Sequence, residues 1–408
     1  RLNFSMALVL NDTEGQGAAH VMAGNKATVL NVDEAAIAEL VKVLGLAIGN
    51  ITVQPNDYQG LRAPGSEKLL RTLAQKGAIL REYLERHSIR TGRLDPPAHV
   101  QVVSTKPGKI FPIEFIYQYR APDTAATLCP GAEEALETLS HGVLGPAGAR
   151  HCPGTCPDVT DRAAMKNTIC PLGFWGVRCA IERKPHEPED NKLAGEYALL
   201  LEPTRENVRL LRPLAGTVIG ATDKANLSVP TAVAEMVARI HKLMPGAPVV
   251  SAWSKWTDAI KDTKPATLTL LVHQEPDENG TPTIDIGSVP YLSSDLLEEE
   301  HVFAPPGGTR PLVLLIGCET GKAGISYESF ALRFQWRGAA LVVSTIAEVL
   351  GRQAAPVAAD ILEVIHGIAE PTSFAEVMRS LRCRLLAKGT PMVLALVAQG
   401  DADWEVIA

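Results

Sequence analysis

Beyond residue 192 the chain alternates between short, continuous apolar runs and longer stretches with apolar residues at helical spacing. The apolar runs, bounded by turn residues, predict strands over 197–201, 216–221, 248–252, 267–273, 312–318 and 340–344. Helical spacing predicts helices over 231–243, 326–337, 355–367 and 374–388. A strand that is apolar along its whole length is covered on both faces. Alternation of such strands with helices implies an α/β fold, with a mostly parallel sheet flanked by helices.

The rest of the chain is less regular. A strand is expected over 4–10, and a helix over 33–46 from the spacing of Ala36, Ile37, Leu40, Val41 and Leu44. That stretch is too short to bury much alone, so residues 1–60 read as an N-terminal accessory segment and 61–408 as the main domain. A helix begins near Ala63, with Ser66 as its expected cap and Leu69, Leu70, Leu73, Ile79, Leu80 and Leu84 on one face. The breaker Leu94-Asp95-Pro96-Pro97 and a strand over 99–103 follow, then FPIEFIY (111–117). Residues 129–170 form a Gly- and Pro-rich insert with no long periodic segment and four cysteines: Cys129, Cys152, Cys156 and Cys170.

Composition narrows the function classes. With 46% apolar residues but only 5% aromatic ones, the core is expected to be rich in Ala, Leu and Val, as in α/β interiors. A net charge of −7 with no cluster of Lys or Arg argues against direct nucleic-acid binding, which needs a concentrated basic face. No apolar run reaches membrane-spanning length and no secretory signal is visible. An odd number of cysteines, seven, without an export signal points to a reducing, cytoplasmic compartment. The chain starts at Arg1 rather than Met, from which a processed or truncated product is expected.

Two of the expected strands end in reactive side chains. One is Thr267-Leu-Thr-Leu-Leu-Val-His273, the other Leu312-Val-Leu-Leu-Ile-Gly-Cys318. Open parallel sheets bind ligands beyond the carboxyl ends of their strands. A His and a Cys ending adjacent strands would face each other there. A thiolate attacks while a neighbouring imidazole takes its proton and later protonates a leaving amine. Cys318 is followed by Glu-Thr-Gly, and small residues beside a nucleophile allow backbone N–H groups to approach an oxyanion. A strand-end thiol taken singly is most simply a buried core residue. The pairing with His273 is what favours catalysis. A phosphate-binding loop is excluded, because position 316 is Ile rather than Gly and Lys322 is followed by Ala323.

Four segments, in order, carry a resemblance to the CHAT family, the bacterial caspase-like peptidases related to caspases and separase. FPIEFIY (111–117) looks like the family's early PWELLYD-type segment. LLVHQ (270–274) sits where the family's strand ends in its catalytic His, and LLIGCETG (314–321) looks like its ACETG nucleophile loop. FALRFQWRGAALVVSTIAEV (330–349) resembles its helix, GA-x-x-VV strand and following loop. The resemblance implies a caspase-like cysteine endopeptidase with a His273–Cys318 dyad and oxyanion donors among the backbone N–H groups of Gly317, Cys318 and Gln274. It also implies specific protein substrates, latency until a sensor or partner protein signals, and a role in bacterial antiviral defence or programmed death. The family has Gly after the catalytic His where this chain has Gln274, so a catalytically inactive scaffold or adaptor stands as the alternative. Asp258, Asp262 and Glu319 are candidates for a pocket accepting a basic side chain, and each read singly is a solvated surface acid.

The cysteine-rich insert carries a second chemistry. Cys152 and Cys156 form a C-x3-C pair within the spacing used by tetrahedral zinc, and with Cys129 and Cys170 they could close a structural site. Zinc would supply folding energy that a loop-rich insert lacks. His151 could replace one sulfur, and four reduced, buried thiols are the alternative reading. Cys179 and Cys383 read as core thiols, His301 as part of a solvated loop and His366 as a helix C-terminal residue. Phe174 and Trp175 read as packing residues.

Overall fold

Leu- and Val-rich runs that are dry on both faces make the centre of the molecule. The structure, a computed structural model, describes residues 6–13, 16–23, 26–31, 34–53, 55–87, 99–104, 111–141, 164–184, 209–227, 229–287, 291–304, 309–317, 330–346, 349, 351–401 and 404–408. In chain order the strands are β1 Met6–Thr13, β2 Gln16–Ala23, β3 Lys26–Asn31, β4 His99–Ser104, β5 Thr127–Leu128, β6 Thr168–Ile169, β7 Ala180–Lys184, β8 Leu210–Leu211 and β9 Thr217–Ala221. They continue as β10 Val249–Val250, β11 Thr267–Pro276, β12 Pro282–Asp285, β13 Leu292–Ser293, β14 Leu312–Gly317, β15 Leu341–Thr345, β16 Thr372–Ser373, β17 Leu396–Gly400 and β18 Glu405–Val406. The helices are α1 Glu34–Val53, α2 Pro64–His87, α3 Ala132–His141, α4 Trp175–Arg178, α5 Ala232–Leu243, α6 Trp253–Thr263, α7 Phe330–Trp336, α8 Gly351–His366 and α9 Phe374–Ala387.

One sheet runs in the order β10-β9-β11-β14-β15-β17-β7-β4-β1-β2-β3. From β10 to β15 every neighbouring pair is parallel. β17 then runs antiparallel to β15 and joins β7 through Gly400 and Arg183. The mixed α/β class with a mostly parallel centre is therefore observed. β14 is buried at all six positions and β15 at all five, which is why neither shows polar alternation. Residues 6–53 extend this sheet rather than forming a separate layer of sheet, since β1 pairs with β4 in parallel and α1 packs against α2.

Helices cover both faces. α5 and α8 pack together on one side, with Met236, Ile240, Ala358 and Leu362 in the larger buried cluster. On the other side Trp253, Trp256 and Ile260 of α6 bury against Val218, Leu270 and Val313. Arg239 ties α5 to α8 through Asp360 at 2.6 Å and Glu363 at 2.8 Å.

Several sequence expectations shift. The strand over 267–273 continues to Pro276, because Asp277–Thr281 turns it back into β12 as a hairpin. Asp277 Oδ1 accepts from the N–H groups of Asn279 and Thr281, both at 2.8 Å, and Gly280 supplies the positive φ the turn needs. Ser66 lies inside α2 rather than capping it. Pro64 opens the helix instead, its missing N–H being one the first turn leaves unpaired anyway. The insert holds a ten-residue helix, α3, that composition hid. Its buried Ala132, Ala135, Leu136 and Leu139 pack on α9, a tertiary contact no local pattern announces. The strand expected over 197–201 lies outside the described residues.

Candidate active site

The carboxyl ends of β9, β11, β14 and β15 lie along one edge of the sheet, because those strands are parallel neighbours. β11 is the longest of them and passes beyond that edge. His273 sits on the projecting part, partly exposed at 33% of its side chain. The register pairs Val272 with Gly317, the last described residue of β14. Cys318 follows Gly317 in the chain and lies outside the described residues, as does Glu319.

Around His273 the hairpin and a short helical turn after β9 bring four polar groups together. Asp285, opposite His273 on β12 and 1% exposed, accepts the His273 backbone N–H on Oδ1 at 3.1 Å. The imidazole Nε2 lies 3.4 Å from Glu275 Oε2. Lys224, in the turn over Asp223–Asn226, reaches Glu275 at 3.0 Å and Asp285 at 3.8 Å. Its ammonium also lies 5.4 Å from the centre of the Tyr291 ring.

These contacts fix charge. Hydrogen bonds from Lys224 and then Tyr291 hold the Glu275 carboxyl below the usual carboxylate range, against a smaller opposing effect of burial. For Lys224 burial acts to lower the ammonium, but the Glu275 hydrogen bond and the charges of Asp285 and Glu275 outweigh it and raise it. The cluster is an ionised pair beside an imidazole.

Backbone direction around Gln274 follows from its neighbours. Successive N–H groups on a strand point to opposite edges. The Leu271 carbonyl accepts from Thr222 after β9, and the His273 N–H goes to Asp285 on β12. The Gln274 N–H is therefore directed to the other edge, the side of β14. The Gly317 carbonyl accepts a hydrogen bond from Thr345 Oγ1 of β15. Gln274 Oε1 is buried and has no hydrogen-bond partner among the described residues.

The remaining candidates are dispersed. Asp258 and Asp262 are exposed on α6, whose buried face is Trp253, Trp256 and Ile260. Asp262 lies five residues before β11 begins, so it sits near the strand end opposite to His273. Cys129 and Cys170 come together: β5 and β6 are parallel with Leu128 opposite Ile169, and the two cysteines are the next residues of each. Cys129 N–H donates to Ile169 O at 2.9 Å and Cys170 N–H to the Tyr117 hydroxyl at 3.0 Å. His151, Cys152 and Cys156 lie outside the described residues, and no group of three metal-ligating side chains occurs among the described ones. Cys179 and Cys383 are buried core thiols, as expected, and Phe174 and Trp175 are fully packed. The His301 carbonyl accepts from Trp256 Nε1 at 2.9 Å, and His366 ends α8.

Sequence reasoning missed Glu275, Lys224 and Asp285. Glu275 had a signal: in His273-Gln-Glu275, residues two apart on a strand share a face. Lys224 and Asp285 arrive through the β9 turn and the β12 hairpin and had none.

Among the described residues no helix is long and apolar enough to cross a membrane. No family model and no curated protein matches the chain. Among solved structures, a separase–securin complex from Saccharomyces cerevisiae is similar at 10% identity and a TM-score of 0.45, over 97% of this chain and 30% of that one. A second structure of that complex gives a TM-score of 0.41 at the same identity. The complex of Porphyromonas gingivalis RgpB pro- and mature domains is similar at 9% identity and a TM-score of 0.41, over 90% of this chain and 78% of that one. The chain thus spans less than a third of the separase chains it matches.

Proposed function

We propose that the protein is a caspase-like cysteine endopeptidase in which Cys318 is the nucleophile and His273 the general base and acid. The Val272–Gly317 pairing carries this reading. His273 and Cys318 are the next residues in the chain after Val272 and Gly317. Paired strands lie about 4.8 Å apart and consecutive Cα atoms about 3.8 Å, so chain connectivity alone limits the separation of the two Cα atoms to about 12 Å. The thiol proton passes to His273, the thiolate adds to a peptide carbonyl, and the imidazolium then protonates the departing amine. Gln274 replaces glycine after the histidine, yet its N–H is directed to the β14 side, where an oxyanion donor is required. Gly317 and Cys318 are the other backbone donors of this reading.

Glu319, adjacent to the nucleophile, is the acid assigned to a pocket for a basic side chain, in preference to Asp258 and Asp262 on the outer face of α6. Protein substrates, restraint by a sensor or partner, a reducing cytoplasm and a role in bacterial defence belong to the same reading. So does structural zinc. Cys129 and Cys170, at adjoining register positions, fit half of a tetrahedral thiolate site that Cys152 and Cys156 would complete. Elemental analysis of purified protein tests the metal: about one zinc per chain, lost in the Cys129→Ser and Cys170→Ser variants, supports it, and no zinc refutes it.

The test of the dyad is site-resolved labelling with an electrophile, with and without cell extract to supply an activator. Labelling of Cys318 that far exceeds that of Cys383 and collapses in His273→Ala is expected. Cys318 no more reactive than Cys383 in both conditions refutes the peptidase and leaves the scaffold.

A further inference from the structure

His273 and Glu275 stand on the same face of β11, and the imidazole Nε2 is 3.4 Å from Glu275 Oε2. The carboxylate is itself held. Lys224 Nζ lies 3.0 Å from it, and Lys224 is in turn fixed 3.8 Å from the buried Asp285. Asp285 also accepts the His273 N–H. Among the described residues, the groups that meet His273 are Glu275 from its own strand and Asp285 from β12, with Lys224 from the turn after β9 reaching both carboxylates and Tyr291, from the segment before β13, lying beside Lys224. Of these, Glu275 has the carboxylate that meets the ring, while Asp285 meets the main chain.

Which nitrogen of a neutral imidazole carries the proton is set by the partner of the other. We propose that Glu275 is the positioning residue of His273: it takes the Nε2–H and leaves Nδ1 to receive the proton of the Cys318 thiol. The inference rests on the dyad reading above. In the step, the S–H bond of Cys318 breaks and the proton goes to the Nδ1 lone pair. A thiolate and an imidazolium with both N–H groups result, and no further reactant is needed. Glu275 opposes the new positive charge from the Nε2 side. Lys224, by hydrogen-bonding Glu275, keeps that carboxylate ionised and aimed.

The experiment combines two readouts on the whole chain. One is the ¹⁵N spectrum of the His273 ring in a Cys318→Ala background, which reports the tautomer without any peptidase activity. The other is the pH profile of Cys318 alkylation. Glu275→Ala is expected to shift the ring from a single Nε2–H form to a tautomer mixture. It should also lower alkylation at neutral pH by about two- to fivefold, the scale of one screened charge contact. Glu275→Asp should restore part of both. Glu275 is partly exposed at the end of a hairpin, and a far-UV spectrum confirms that the variants fold. An unchanged ring spectrum in Glu275→Ala overturns the proposal, even if alkylation falls, because the contact would then be merely structural. If Cys318 reactivity ignores His273→Ala, the dyad reading fails separately, while the tautomer result still decides the role of Glu275 as a holder of the ring.

Discussion

Gly317→Ala is the sharpest probe of the strand pair on which the site stands. Gly317 ends β14 beside Val272 of β11. A Cβ on Gly317 would overlap the Val272 carbonyl oxygen, far inside the 3.0 Å that real Cβ atoms keep, and would meet Val272 Cγ2 at 3.1 Å. The oxygen is backbone and cannot swing away as a side chain would, so the two strands must part by about 1 Å at that point. Overpacking of this kind in a dry interior costs about 1–3 kcal/mol. Gly220, in the neighbouring β9, is the control. A Cβ there meets only the tips of Ile286, Trp256 and Leu270, at 2.9 to 3.2 Å, and those can yield. Urea unfolding should place Gly317→Ala about 2–3 kcal/mol below wild type and Gly220→Ala nearer to it. On the proposed dyad, the same displacement would separate Cys318 from His273, and a 1 Å misplacement can reduce reactivity on the order of 100-fold. A Gly317→Ala protein with wild-type stability refutes the packing argument. One with lost stability but unchanged Cys318 labelling refutes the proposed pairing of Cys318 with His273.

Three further outcomes follow from buried groups. Glu114, 1% exposed, accepts from Arg183 Nε at 3.0 Å and lies 3.8 Å from Arg382, so Glu114→Gln strands two buried guanidiniums; a loss of about 3–5 kcal/mol is expected in urea unfolding, and a loss below about 1 refutes the pairing. Burial pushes the Glu376 carboxyl up, but the His99 hydrogen bond and Arg379 outweigh it and hold it below the usual range. A carboxyl depressed by folding stabilises above its unfolded value of about 4.3 and loses that contribution as pH falls through its folded value. Acid unfolding should therefore be steeper in wild type than in Glu376→Gln, and identical profiles refute the assignment. Burial pushes the Cys383 thiol up to about 11 and Cys179 to about 12. Neither should alkylate in native protein at pH 8, both should in urea, and native modification at the rate of a free thiol would show that the core opens.

Local chemistry in the sequence determined the elements. Leu312 to Gly317 had to be a buried strand because six apolar or small residues in a row leave no polar face, and α5 and α8 followed from apolar spacing near 3.6. His273 and Cys318 were singled out in the same way, as the residues where apolar runs stop, and the structure describes the first of them. The tertiary structure decided what no local pattern encodes: pairing partners, their register and the far side of each hairpin. Only the β11–β14 register sets Val272 beside Gly317, only the hairpin returns Asp285 to His273, and only the β9–β11 pairing delivers Lys224 to Glu275. The meeting of Cys129 and Cys170 depends likewise on β5 lying beside β6. Such contacts join residues that are distant in the chain and hold through backbone hydrogen bonds common to every residue type. Their choice is made by the global fit of buried faces rather than by any side chain within a single window.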